Sequence, residues 1–205
     1  MLDGLREAVA KLPLTFIVRH GETAWNHEGR LQGQSDTDIN ARGRAQATAN
    51  GEHLGRLIGQ AETFSFVSSP MRRTRETMER LRTAMGLDPH AYRTDERLRE
   101  LSFGDWQGFS YDELEAREPG ITAERQADKW RFVPPGEGAE SYAGLLERVA
   151  PAILELRQPT VCVTHGGVIR TLFVMSGTLT PDEASTTGIP QDRLLRLEGG
   201  RLEWV

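Results

Sequence analysis

Two short apolar runs, each with a histidine two residues after its end, limit the possible folds of this chain most strongly. Residues 14–18 (Leu-Thr-Phe-Ile-Val) precede Arg19-His20-Gly21, and residues 160–163 (Thr-Val-Cys-Val) precede Thr164-His165-Gly166. Continuous apolar and β-branched runs of this length are typical of parallel strands buried on both faces. Because open parallel sheets carry their chemistry at the carboxyl ends of the strands, the sequence predicts that each histidine lies at such an end.

Helical patterns alternate with strand patterns along the rest of the chain. The predicted elements are a helix from the N-cap Asn40 to about 59, a strand over 64–67, a helix over 71–85 with Pro70 in its first turn, an amphipathic helix over 141–156 bent or interrupted at Pro151, a helix over 168–176, and a C-terminal hairpin with its turn at Gly199-Gly200. This alternation predicts an α/β fold, a three-layer α/β/α sandwich whose central sheet is mostly parallel with an antiparallel edge.

Length and charge limit the classes of function. A chain of 205 residues without a recognisable linker is expected to form a single domain over 1–205. Its net charge of −5 disfavours nucleic acid as a partner. The single Cys162 fits a buried, inert thiol, and neither an apolar signal core nor a membrane-length apolar run is present. We therefore expect a cytoplasmic protein without a membrane partner.

The tetrapeptide Arg19-His20-Gly21-Glu22 is the sharpest local signal of chemistry. A histidine at a strand end is suited to nucleophilic attack, and an adjacent cation attracts an electrophile that carries negative charge. The glycine lets a ligand approach the backbone closely. Phosphorus in a phosphomonoester fits this description, and cationic side chains would stabilise the charge that spreads over its oxygens during transfer.

Four motifs in order resemble those of the histidine phosphatase superfamily. They are Arg19-His20-Gly21-Glu22-Thr23-Ala24-Trp25-Asn26, Ser68-Ser69-Pro70-Met71-Arg72-Arg73-Thr74, Leu98-Arg99-Glu100-Leu101-Ser102-Phe103-Gly104 and Thr164-His165-Gly166-Gly167-Val168-Ile169-Arg170. The resemblance covers about residues 14–175 and implies the phosphoglycerate mutase-like fold of branch 1 of that superfamily.

The resemblance implies a role for each matching residue. His20 would be the nucleophile that forms a phosphohistidine, and Glu100 the acid that protonates the leaving oxygen and then activates water. Arg19 and Arg73 would clamp the phosphoryl oxygens, with His165 completing the pocket. Apart from the resemblance, the chemistry of phosphoryl transfer suggests that a protonated His165 would add to the cationic stabilisation. Arg73, three residues after Pro70, matches the family's arginine. Arg72 fills a variable position and is expected on the solvated helix surface.

Supporting positions are open to two interpretations. Asn26 matches a position that contacts phosphate in relatives, and Gly166 would offer a backbone N–H at a helix N-terminus, yet either residue fits a turn equally well. Thr23 and Ser69 are interpreted as ordinary turn or cap residues. Residues 32–34, in the loop after the nucleophile, are expected to border the pocket.

A metal site is the main alternative use of the two histidines and the carboxylate. His20, His165 and Glu100 could form an open zinc site or a facial triad. Arg19 beside His20 would repel a divalent cation, and neither His-x-x-x-His nor Cys-x-x-Cys spacing occurs. We therefore expect no metal and no other cofactor.

Three functions compete for this set of residues. The favoured one is a metal-independent phosphomonoester hydrolase, an enzyme that acts on a small phosphorylated metabolite through a phosphohistidine. The second is a 2,3-bisphosphoglycerate-dependent phosphoglycerate mutase. Two features disfavour it: the chain is short, and Gly167 stands where mutases usually have asparagine. The third is a non-catalytic phosphate-binding or scaffold member of the fold, which typically lacks the nucleophile or the acid.

The substrate and the oligomeric state stay open at this level. A pocket lid is expected from residues 105–138, where the pattern weakens and helices are predicted over 110–117 and 122–130. This segment offers four cations as contacts for a second anion on the substrate, although a solvated helix surface explains them equally well: Arg117, Arg125, Lys129 and Arg131.

Overall fold

The computed structural model describes residues 2–205 and shows alternating helices and strands. The strands are β1 (Thr15–Arg19), β2 (Ser65–Ser68), β3 (Arg93–Thr94), β4 (Thr160–Thr164), β5 (Leu194–Glu198) and β6 (Arg201–Trp204). The helices are α1 (Leu2–Val9), α2 (Ala24–His27), α3 (Ala41–Ile58), α4 (Arg72–Ala84), α5 (Tyr111–Arg117), α6 (Ala123–Ala127), α7 (Tyr142–Leu154), α8 (Gly166–Met175) and α9 (Pro181–Thr186). Short 3-10 turns cover Ala61–Thr63, Glu96–Leu98 and Gly104–Trp106.

The strands form one mixed sheet in the order β3-β2-β4-β1-β5-β6. β3, β2, β4 and β1 run parallel, whereas β5 is antiparallel to β1, and β6 is antiparallel to β5. The antiparallel edge is the hairpin that the Gly199-Gly200 turn predicts. The mostly parallel sheet with an antiparallel edge is therefore confirmed.

Alternating side chains of the central strands belong to two separate apolar clusters. Ile17 and Cys162 pack with residues of α7 and α8 in one cluster. Phe16 and Val161 pack in the other cluster, with residues of α3 and α4. Because successive side chains of a strand point to opposite faces, the two clusters lie on opposite faces of the sheet. The helices thus cover both faces, and the three-layer architecture is confirmed.

Local signals place several helix boundaries correctly and miss others. Asn40 caps α3 by accepting the Gly43 N–H through its side chain. Pro70 lies outside α4, because Met71 is the N-cap of that helix. Pro151 does not interrupt α7, which continues to Leu154. The predicted helix over 122–130 is shorter, since only Ala123–Ala127 is helical.

Within residues 2–205, none of the helices combines the length and the apolar composition that crossing a bilayer requires.

Candidate active site

The pairing of β1 with β4 brings the two predicted histidines together. Arg19 lies opposite Thr164 in the parallel register, and the His20 N–H donates to the Thr164 carbonyl at 2.9 Å. The ring centroids of His20 and His165 are 5.3 Å apart, with the planes tilted by 59°. The two apolar runs thus end side by side, as parallel strands require.

The hydrogen bond of the His20 ring fixes its tautomer. Nδ1 lies 2.8 Å from the carbonyl oxygen of Gly21. A carbonyl oxygen only accepts, so Nδ1 carries the proton and Nε2 keeps its lone pair. Burial, followed by the charges of Arg73 and Arg19, lowers the pKa of His20 well below its ordinary value. The ring is therefore neutral near pH 7, which a nucleophile requires.

Two buried guanidiniums stand beside these rings. Arg73, fully buried in the first turn of α4, donates through Nη1 to the Ser35 carbonyl at 2.8 Å and through Nη2 to the Gly33 carbonyl at 2.7 Å. Arg19 donates through Nη1 to the Ile189 carbonyl at 2.6 Å. Burial lowers the pKa of both Arg19 and Arg73 to about 10, so both stay charged at neutral pH.

Three buried polar atoms of this region have no hydrogen-bond partner in the described residues. They are Nε of Arg19, Nε of Arg73 and Nδ1 of His165. Buried donors are satisfied in almost every native structure. Two guanidinium N–H groups and a ring nitrogen of this kind fit the oxygens of an anion.

His165 differs from the expectation in its charge. Burial is the largest influence that lowers the pKa of His165 well below its usual range, and Arg73, His20 and Arg19 add to it. The ring is therefore neutral here rather than protonated, and the charge of a phosphate dianion would act in the opposite direction. Nε2 lies 2.8 Å from Oγ of Ser69.

This contact with His165 corrects the interpretation of Ser69 as an ordinary turn or cap residue. Ser69 is fully buried and its hydroxyl faces a predicted site residue. The interpretation of Thr23 as a cap is confirmed, because its hydroxyl accepts the Asn26 N–H in a capping box of α2.

Glu100 comes from the loop that follows the 3-10 turn Glu96–Leu98. Its carboxylate accepts the Gly167 N–H at 3.0 Å and 3.1 Å and the Leu101 N–H at 2.9 Å. Its carbonyl oxygen accepts from Gln34 Nε2 at 3.1 Å and from Arg148 Nη2 at 3.3 Å. The carboxylate is thus held by the first turn of α8, the helix that starts directly after His165.

A cavity of about 140 Å³ joins these groups. It is lined by six of the seven predicted site residues, namely Arg19, His20, Asn26, Arg73, Glu100 and Gly166, and its other walls are Arg30, Leu31, Gln32, Gly33, Leu101, Phe103, Tyr142 and Arg170. The seventh, His165, adjoins the cavity through its ring contact with His20. Arg72 points elsewhere, with a largely exposed side chain paired to Asp38 at 2.8 Å.

Asn26 and Gly166 both take part in local turn or helix-start structure, and both line the cavity. The Asn26 Oδ1 accepts the Thr23 N–H at 3.2 Å and Gln191 Nε2 at 3.0 Å, so the amide nitrogen is the group that can face an anion in the cavity. Gly166 is the first residue of α8, where the backbone N–H has no acceptor within the helix.

Sequence reasoning missed two further contacts, to Arg19 at the end of β1 and to His20 after it. Gln191 Nε2 donates to the His20 carbonyl at 3.1 Å, and the Ile189 carbonyl holds Arg19. Both come from the loop before β5, about 170 residues along the chain, and no local pattern marks them. Arg170 belongs to the fourth motif, and its helical spacing of four residues from Gly166 could have indicated that it faces the site.

In residues 2–205, no group of three or more His, Cys, Asp and Glu side chains is arranged to hold a metal ion.

A basic, phosphate-compatible cavity at the carboxyl edge of an α/β/α sandwich defines an enzyme that acts on phosphate esters. The sequence model of one family, the histidine phosphatase superfamily (branch 1), matches residues 15–205. The chain belongs to this superfamily.

Proteins of similar sequence indicate which activity of the superfamily this chain has. Glucosyl-3-phosphoglycerate phosphatase of Mycobacterium tuberculosis (strain ATCC 25618 / H37Rv) is 35% identical over 170 residues, which cover 76% of this chain and 71% of that protein. The protein of the same name from Mycolicibacterium vanbaalenii is 33% identical over 202 residues, covering 92% and 81%. Phosphoglycerate mutase-like protein 4 of Arabidopsis thaliana is 34% identical over 162 residues, covering 77% and 68%.

A solved structure of a mycobacterial glucosyl-3-phosphoglycerate phosphatase with VO3 superimposes with a TM-score of 0.74 at 29% identity, covering 94% of this chain and 96% of that one. The chain is accordingly a phosphoric monoester hydrolase, a phosphatase of the superfamily that acts on a small phosphorylated metabolite.

Proposed function

We propose that the chain hydrolyses phosphomonoesters without a metal, through a phosphohistidine on His20. The observation that carries this proposal is the His20 ring, neutral and with Nε2 unprotonated, in the same cavity as two charged guanidiniums. Nε2 attacks phosphorus, the N–P bond forms, and the bond from phosphorus to the leaving oxygen breaks. Arg19, Arg73 and His165 stabilise the charge on the three equatorial oxygens, with Asn26 and the Gly166 N–H as further donors.

Glu100 serves both halves of the reaction. Its carboxyl group gives a proton to the leaving oxygen, which departs as an alcohol. The resulting carboxylate then takes a proton from water as the water oxygen attacks phosphorus and the N–P bond breaks. Inorganic phosphate leaves, and His20 and Glu100 return to their starting states.

The substrate proposed is a small phosphomonoester like those in the names of the mycobacterial relatives, glucosyl-3-phosphoglycerate included. We also propose that residues 1–205 form one domain that works in the cytoplasm. The family match from 15 to 205 supports the first statement, and the lone, buried Cys162 supports the second.

Hydrolysis of an aryl phosphate in the presence of EDTA tests the chemistry, with inorganic phosphate as the readout. Wild type should remain active, His20→Ala should lose at least about 10³-fold in kcat, and Glu100→Gln should lose turnover while still binding phosphate. His90→Ala is the matched control, because the exposed His90 lies outside the cavity. Loss of wild-type activity to EDTA, or full activity of His20→Ala, would contradict the proposal.

The same wild-type preparation distinguishes the phosphatase from the two alternative functions. If wild type released no phosphate but formed a phosphohistidine from 2,3-bisphosphoglycerate and passed the phosphoryl group to a monophosphoglycerate, the chain would be a mutase. If it neither released phosphate nor formed a phosphoenzyme, the scaffold alternative would stand.

A further inference from the structure

The segment between α9 and β5 contacts the side chains of the cavity through its backbone. The Thr187 carbonyl accepts from Nε of Arg170 at 3.0 Å, and the Ile189 carbonyl accepts from Nη1 of Arg19 at 2.6 Å. Both arginines line the cavity. Residues 187–191 thus form a strap that holds two cations of the site.

Gln191, at the end of this strap, contacts the site through its side chain. Nε2 donates to the His20 carbonyl at 3.1 Å and to Oδ1 of Asn26 at 3.0 Å. A backbone carbonyl only accepts, so the group of Gln191 that faces it is the amide nitrogen. The same nitrogen needs an acceptor on Asn26, and that acceptor is Oδ1.

The orientation of the Asn26 amide decides whether this side chain attracts or repels an anion. An asparagine presents an acceptor oxygen on one side and N–H donors on the other. Oδ1 is bound to Gln191 and, at 3.2 Å, to the Thr23 N–H, so Nδ2 is left for the cavity, which Asn26 lines. The reverse orientation would place Oδ1 against phosphate oxygens and would turn the N–H groups of the two amides towards each other.

The strap is anchored independently of the Gln191 side chain. Asn50 of α3, which is 3% exposed, donates through Nδ2 to the Gln191 carbonyl at 3.0 Å. The bonds from Asn50, Arg19 and Arg170 all go to backbone carbonyls of the strap, so a change of the Gln191 side chain leaves them in place. The effect of such a change therefore reports on the two amide contacts.

We propose that Gln191 is a positioning residue of the phosphatase, which holds the Asn26 amide with its N–H group towards the phosphoryl group. Asn26 lines the cavity, and Gln191 acts through it. A donor that is fixed before the substrate binds loses little freedom on binding, so more of its hydrogen-bond energy stabilises the bound phosphoryl group. The inference rests on the proposed phosphohistidine chemistry, in which Asn26 donates to the transferred group.

A double-mutant cycle with Asn26 tests this role. Gln191→Met keeps the length of the side chain and removes both amide contacts. It should weaken inhibition by inorganic phosphate, and lower kcat/KM for an aryl phosphate, each by about tenfold, as expected for one hydrogen bond to a charged group. In the Asn26→Ala background the same substitution should change either quantity by about twofold or less, because Gln191 has no other route to the phosphate.

Asp192→Asn is the matched control for Gln191→Met. Asp192 is the next residue in the chain, is exposed, and should tolerate the change with an effect of about twofold or less. Inhibition of Gln191→Met by phosphate as strong as that of wild type would overturn the proposal. Equal effects of Gln191→Met in the two backgrounds would also overturn it, because Gln191 would then act through the His20 backbone or through the fold.

The wild-type protein gives a second test that does not depend on the activity or the folding of Gln191 variants. NMR of protein labelled with ¹⁵N in asparagine and glutamine side chains observes the amide groups of Asn26 and Gln191 directly. Saturation with inorganic phosphate should shift the Nδ2 signals of Asn26, the group that faces the anion. An Asn26 signal that does not respond to phosphate would overturn the proposal. Failure of wild type to hydrolyse the aryl phosphate, with the Asn26 signal responding, would instead contradict the phosphatase function.

Discussion

The carboxylate of Glu100 occupies the space that a side chain on Gly167 would fill. A Cβ atom built on Gly167 would lie 2.2 Å from Oε1 of Glu100, while the Gly167 N–H donates to both oxygens of that carboxylate. Glycine at this position therefore does two things at once: it admits the carboxylate to the first turn of α8 and it supplies the donor that holds it there.

Gly167→Ala should displace the proposed acid with little effect on the fold. The methyl group cannot coexist with Oε1 of Glu100 at 2.2 Å, so the carboxylate must move by about an ångström or more. Misplacement of a reacting group by this amount can lower kcat by about 10²-fold. Steady-state hydrolysis of an aryl phosphate measures the loss, and trapping of the phosphoenzyme shows which half of the reaction is slowed.

Gly144→Ala is the matched control for that variant. Gly144 also lies in the first turn of a helix, α7, and its added Cβ would meet only Ser141 Oγ at 3.7 Å. We expect wild-type kcat from it. If Gly167→Ala were equally active, the carboxylate would not need this position.

Strands β1 and β4 could be predicted because each is a continuous apolar run, the pattern that burial on both faces imposes. The histidines followed from these runs, and the motifs around Arg73 and Glu100 predicted two further cavity residues. Arg30, Leu31 and Tyr142 of the cavity wall lie outside the motifs. The order of the strands was not predictable, since it depends on pairings between segments far apart in sequence.

The contacts that hold the site together could not be predicted from the sequence. Gln191 bonds to the His20 carbonyl across 171 positions, and Ser69 bonds to His165 across 96. Neither residue type is distinctive in its local context, where both fit ordinary loops.

Gly43→Ala should destabilise the protein and abolish activity. A Cβ on Gly43 of α3 would lie 2.2 Å from the Glu22 carbonyl oxygen, and Gly21 makes the reciprocal approach, at 2.3 Å from the Gly43 oxygen. The backbone after His20 would have to move, at a cost of about 1–3 kcal/mol typical of overpacking. Urea unfolding and aryl phosphate hydrolysis measure the two effects.

Gly55→Ala in the same helix should have the opposite effect on stability. Its Cβ would meet only Met85 Cγ at 3.7 Å, and alanine in a helix interior is favoured over glycine by about 0.5–1 kcal/mol. A loss of stability in Gly55→Ala comparable to that in Gly43→Ala would show that the close approach to the strand end is not the cause.

Arg148→Met should loosen the loop that carries Glu100. Arg148 pairs with Glu140 at 2.7 Å and donates to the carbonyls of Arg97 at 2.9 Å and Arg99 at 3.1 Å. Removing these charge-assisted bonds should lower the free energy of unfolding by about 2 kcal/mol, and kcat about tenfold, with a smaller change in KM. Arg157→Met, which removes an exposed arginine bonded only to carbonyls near the end of α7, is the control. Equal stability and kcat in the two variants would contradict the role assigned to Arg148.

The buried histidines should make stability fall on mild acidification. Burial lowers the pKa of both His20 and His165 in the folded protein, so below the unfolded pKa of about 6.5 the unfolded chain binds more protons than the folded one. Stability is therefore fully present above that pH and is lost as the pH falls toward the folded pKa. Well below the unfolded pKa each histidine contributes about 1.4 kcal/mol per pH unit, and the pair about 2.7 kcal/mol; between about pH 6.5 and 5.5 each contributes about 1 kcal/mol. His20→Asn should halve this contribution, which urea unfolding between about pH 6.5 and 5.5 can measure as the difference from wild type. Identical slopes in the two proteins would mean that folding does not lower the pKa of His20.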